Sequence, residues 1–100
     1  MSILDKIINE RKRQDAKWGQ QDHSDGTGEW MQDKAEMYRS MCELKAHDGC
    51  IEWLDILREE VYEAFAEEDP IKLREELIQC AAVCVAWVES IDRRIVNKSL

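Results

Sequence analysis

From Leu77 to Val88 the chain reads LIQCAAVCVAWV, and Gln79 is the only polar residue in those twelve. On a helix such a stretch is apolar all round, and it has to be covered all round. A chain of 100 residues has little with which to cover it, because a domain this short leaves a large share of its apolar surface near water. The stretch therefore predicts a helix covered on one face by its own chain and on another by a second subunit. Ala81, Ala82 and Ala86 would let a neighbouring helix approach closely.

The remaining residues predict three more helices. Ser2 with Asp5 three residues on is a capping pattern, and Ile3, Leu4, Ile7 and Ile8 form one apolar stripe, so a first helix runs from Ser2 to about Lys17. It ends near Trp18-Gly19. Gln20 to Gly28 (QQDHSDGTG) is polar and glycine-bearing, a loop long enough to touch a ligand. A second helix is predicted from about Glu29 to His47, with Trp30, Met31, Met37, Met41 and Leu44 on its apolar side, and Asp48-Gly49 breaks it. A third runs from about Cys50 to Glu67. Asp69-Pro70 starts the fourth, which continues to about Arg94, since Asp caps well and proline at the first helical position loses no needed hydrogen bond. With one proline, four glycines and no repeat or linker, the expectation is a single all-α domain over 1–100. Its architecture is a four-helix-bundle subunit, assembled as a homodimer or homotetramer through the third and fourth helices.

A formal net charge of -8 argues against binding a nucleic-acid polymer, whose affinity comes mostly from Lys and Arg on phosphates. A small anionic substrate remains open if cations bridge it to the acidic surface. No apolar stretch approaches the roughly 20 residues of a membrane span, and Asp5, Lys6, Glu10 and Arg11 make the N-terminus unlike a signal peptide. A cytoplasmic protein without membrane partners is expected. Cys42, Cys50, Cys80 and Cys84 include no C-x-x-C pair, so buried free thiols are the better reading than zinc or a disulfide frame.

At about 100 degrees per residue, Leu54, Leu57, Val61, Ala64 and Phe65 share one face of the third helix, with Glu60, Glu63 and Glu67 along its border. Glu59 points nearly opposite. On the fourth helix Leu73, Leu77, Cys80, Cys84, Trp87 and Ile91 face inward, and Glu76 and Gln79 lie at the edge. Antiparallel packing could then bring Glu60, Glu63 and Glu76 together, where like charges repel unless a cation joins them. Magnesium suits such an oxygen set. The same acidic strings also suit solvated helix faces, and spacing alone leaves both readings open.

The string Glu59-Glu60-Val61-Tyr62-Glu63, followed at a helix-turn-helix distance by Glu76-Leu77-Ile78-Gln79, resembles the EExxE and ExxD pair of the all-alpha NTP pyrophosphatases, the superfamily of MazG and the dimeric dUTPases. Glu10-Arg11, Arg13-Gln14 and Lys17-Trp18-Gly19, the His23 loop, Trp53 and the segment from Glu76 to Trp87 resemble the small MazG-like proteins of phages and bacteria. The resemblance spans nearly the whole chain. It implies hydrolysis of (deoxy)nucleoside triphosphates to nucleoside monophosphate and pyrophosphate with magnesium, or manganese, as cofactor. By position it implies Glu60, Glu63, Glu76 and Gln79 as metal ligands, Glu60 and Glu63 as catalytic, and Glu59 as their support from behind. Gln79 stands where the family has Asp, and an amide oxygen ligates without charge.

Among the basic residues Arg11, Arg13, Lys17, Lys34 and Arg39, any one could meet phosphate or simply be solvated; Lys17, beside Trp18 and the loop, is the first candidate. Trp18 could stack on a base or anchor packing, and His23 could touch a phosphate or nothing. Lys17, Trp18, His23 and Lys34 are the expected substrate-binding residues. Rival functions are a scaffold that binds nucleotide without turnover and an acidic interaction protein that occupies a basic site on a partner. A di-iron protein is excluded, because neither histidine has a Glu three positions before it.

Overall fold

Ser2 begins the first helix by accepting a hydrogen bond on Oγ from the Asp5 N–H at 3.1 Å, and Asp5 returns the contact to the Ser2 N–H at 3.2 Å. In the computed structural model of the chain, which describes residues 1–99, this capping box opens α1 (Ile3–Trp18). A single 3-10 turn at Glu29–Met31 leads into α2 (Gln32–His47), followed by α3 (Trp53–Phe65) and α4 (Pro70–Ser99). Asp69 caps α4 as expected, accepting from the Ile71 N–H at 3.0 Å. No strand occurs among the described residues. The second and third helices start three residues later than predicted, and α4 runs on past Arg94 because nothing in the sequence there breaks it.

Three helices pack as antiparallel neighbours, α2 on α3 and α3 on α4. The α2–α3 register is fixed by the ion pairs Arg39–Glu63 and Lys45–Asp55, the α3–α4 register by Trp53 stacked on Trp87 with centroids 6.5 Å apart. Ala64, Leu73 and Cys80 form the buried centre with Val61 against them. On α2 the covered positions are Ala35 and Cys42, small side chains that admit α3 closely.

Much of the predicted apolar surface is not covered in one chain. Leu77 is 51% exposed, and Leu54, Phe65 and Cys84 also face solvent, as do Trp30 in the 3-10 turn and Met37, Met41 and Leu44 on α2. Two of the four free thiols, Cys42 and Cys80, are buried, while Cys50 and Cys84 are not. The reason is that α1 buries no residue and lies along little of any other helix. One chain therefore closes three helices and leaves the fourth spread beside them. Its radius of gyration of 16.3 Å exceeds the about 13 Å of a compact domain of this length.

The end of the polar loop is stapled to the far end of α3. Thr27 Oγ1 donates to the Glu67 carbonyl at 2.6 Å and the Gly28 N–H to the Phe65 carbonyl at 2.9 Å. A Cβ at Gly28 would stand 3.1 Å from Glu68 Oε1, so glycine leaves room there for the Glu68 side chain. This staple sets the start of α2 beside the acidic end of α3.

Candidate metal centre

Glu60 and Glu63 lie one turn apart on α3, and the antiparallel crossing of α4 sets Glu76 beside them. Each offers a carboxylate oxygen such that all three oxygens lie within 4.8 Å of one another. Oxygens in an octahedral magnesium shell stand about 3 to 4 Å apart, so small rotations of the carboxylates suffice to close on an ion. Oε2 of Glu60 and Oε2 of Glu76 are buried with no hydrogen-bond partner among the described residues. A buried, unsatisfied carboxylate oxygen is costly, and a cation is the partner that would satisfy both.

The electrostatics agree with the geometry. Burial, then the charges of Glu63, Glu76 and Glu59, push the Glu60 carboxyl above its ordinary value. Burial, then Glu63, Glu67 and Glu75, do the same for Glu76. Among the described residues the one ion pair to the cluster is long: Arg39 Nε donates to Glu63 Oε1 at 3.3 Å. Three carboxylates against one guanidinium leave an excess of two negative charges, which a divalent cation would match. Beside them a cleft of about 200 Å3 is lined by Gln32, Arg39, Glu63, Glu67 and Glu76. The donor set is all oxygen and opens to solvent on one side, which fits magnesium or manganese and not zinc in a closed site.

The other expected site residues lie outside this cluster. Gln79 follows Glu76 by one turn of α4 and is exposed. Glu59 does not point away from the core: it is half-buried facing α2, where burial first and then Glu59 push the Cys42 thiol up to about 11. Trp18, 61% exposed, lines a wide cleft with Arg11, Arg13 and Gln14, and Lys17 Nζ sits 4.9 Å from its ring centroid. His23 and Lys34 are exposed on the loop and on α2.

Sequence reasoning passed over the most buried charge in the chain. Asp55 is 2% exposed and accepts from Lys45 Nζ at 2.9 Å, the Glu52 N–H at 2.9 Å and Arg58 Nη2 at 3.2 Å. The Lys45 ammonium holds its carboxyl below the ordinary value against the opposing effect of burial. Arg58 also lies 4.4 Å over the Tyr38 ring, and Tyr38 packs on Tyr62, which is half-buried between helices. The available signal was Glu52-x-x-Asp55 at the start of α3, an acidic capping box. Comparison of the chain with protein-family models, with curated proteins and with solved structures returns no match.

Proposed function

We propose that the chain is a divalent-cation-dependent pyrophosphohydrolase that cleaves nucleoside triphosphates to the monophosphate and pyrophosphate. The observation that carries this is the convergence of Glu60, Glu63 and Glu76 with two buried oxygens that no protein donor satisfies. Solvated helix faces do not bury their carboxylate oxygens, so the bland reading of the acidic strings accounts for less. The resemblance of both strings, in order and distance, to the EExxE and ExxD pair adds the substrate class.

Glu60, Glu63 and Glu76 would hold magnesium, or manganese in its place. When bound, the cation supplies Lewis acidity, lowering the pKa of water and offsetting charge on phosphate oxygens. Glu60 is proposed, by its place in the EExxE string, as the carboxylate that helps to accept a proton from the attacking water. Phosphoryl chemistry needs no protein nucleophile. Gln79, one turn beyond Glu76, would give an uncharged oxygen and a weaker hold on any second ion. Lys34 is proposed to meet phosphate, while Trp18, with Lys17 and His23 nearby in the chain, offers a ring face to the base.

The same reading includes a homodimer or homotetramer. The chain exposes 7843 Å2, about 1,900 Å2 more than a folded monomer of this mass is expected to expose. That excess is in the range one subunit contributes to a permanent interface. The uncovered apolar side chains of α3 and α4, the helices expected to self-associate, together with those of α1 and α2, are where a second copy would complete the bundle.

The experiment is a panel of canonical, deoxy and damaged triphosphates with magnesium, scored for pyrophosphate against orthophosphate. Magnesium-dependent pyrophosphate release is expected. Gln79 favours one alternative, nucleotide binding without turnover, which the panel separates as a bound nucleotide with no product.

A further inference from the structure

Among the described residues, the cleft beside the carboxylates is lined by a single basic side chain, Arg39 of α2. Its contact with Glu63 uses only Nε, at 3.3 Å, and among the described residues the two terminal guanidinium nitrogens have no acceptor. A guanidinium held by a short fork would satisfy a carboxylate with two parallel bonds. This one does not. It is half-exposed, its terminal nitrogens remain to be matched, and the carboxylate it touches is one of the three proposed to take the cation.

The geometry points to Arg39 as the residue that receives a phosphate group at this cleft, withheld by Glu63 until a divalent cation has taken over that carboxylate. The inference rests on the metal-site reading above. Its physical basis is charge. With the cleft free of cation, Glu63, Glu67 and Glu76 line it against one guanidinium, and an anion is repelled while Arg39 is already neutralised by Glu63. Once Glu63 is satisfied by a cation, Arg39 presents a planar set of donors to the cleft, the shape that a tetrahedral phosphate accepts in pairs. Gln32, on the same wall, has its amide nitrogen on Glu36 Oε1 at 3.3 Å and keeps a second N–H, an uncharged donor that a phosphate tolerates. Cation binding should therefore precede anion binding, and the anion should depend on Arg39 where the cation does not.

Inorganic pyrophosphate is the probe, followed by titration calorimetry of the full chain with and without manganese, and manganese binding alone is followed by its paramagnetic resonance. The wild type is expected to bind manganese without pyrophosphate, and pyrophosphate only with manganese. Arg39→Gln should weaken pyrophosphate binding by about tenfold or more, as expected for loss of a charged donor pair, while binding manganese as tightly as the wild type or more tightly. Arg39→Lys should recover part of the loss. If Arg39→Gln binds manganese normally and pyrophosphate like the wild type, the inference is overturned and the metal site stands. If Arg39→Gln loses manganese as well, Arg39 serves only to orient Glu63, and the inference is overturned in that way. A wild type that binds no manganese sinks the metal site itself, and this inference with it.

Discussion

Two groups of acids in this chain respond to pH in opposite senses. In the metal-free protein Glu60 and Glu76 are pushed above their ordinary value of 4.5, so the folded chain keeps protons that the unfolded chain releases. Their contribution to stability is fully present below 4.5 and is lost as the pH rises through the raised values. Asp55, held below 3.8 chiefly by Lys45, contributes stability above that value and loses it only as the pH falls further. In the pH window that opens upward from 4.5 the carboxylate cluster therefore dominates. The melting temperature of chelator-treated protein should rise as the pH is lowered across that window, and Glu60→Gln should flatten the rise. An unchanged slope in the variant would show that the cluster is not strained by its own charge. The positions of Glu60, Glu63 and Glu76 at the core border were legible from an i, i+3 spacing on two helices. Asp55 was not, because its burial depends on Lys45 and Arg58 closing over it from two helices, and an acid at a helix start reads first as a solvated cap.

At the scale of the helices, the starts are written locally and the packing is not. Ser2 with Asp5, and Asp69 before Pro70, fix the beginnings of α1 and α4 through hydrogen bonds within a turn, so the sequence suffices to find them. Asp69→Ala should remove the cap of α4 and cost about 1 kcal/mol, a fall of about 4 to 8 °C in melting temperature for a domain this size. A thermal melt checks it, and no change would mean that the Ile71 N–H finds water at no cost. Which apolar stripe meets which neighbour is a different matter. On α2 the stripe of Met37, Met41 and Leu44 is the more apolar one, yet α3 packs on Ala35 and Cys42, because small residues let the antiparallel ion pairs to Glu63 and Asp55 close. Cys84 and Leu77 were assigned inward on α4 by the same stripe logic and are exposed for the same reason: α3 alone is too narrow to cover a helix that is apolar all round.

The whole molecule spans 48 × 45 × 18 Å, a flat layer of helices with apolar side chains on surfaces that water would ordinarily not meet. The run from Leu77 to Val88 announced this, since its covering exceeded what the chain contains. Sedimentation at micromolar concentration should give a dimer or larger assembly, and a stable monomer would remove the proposed covering of α1, α2, α3 and α4. In an oligomer Cys84 would be covered and slow to react with a thiol reagent. The carboxylate cluster is built entirely within one chain, so its chemistry can be tested without knowing that assembly. The most direct measurement is product analysis of magnesium-dependent nucleoside triphosphate hydrolysis by the wild type and by Glu63→Gln. The proposed function requires equal amounts of monophosphate and pyrophosphate from the wild type, and a rate lower by about a hundredfold or more in a variant that remains folded. Orthophosphate as the product, or full magnesium-dependent turnover by Glu63→Gln, would contradict it.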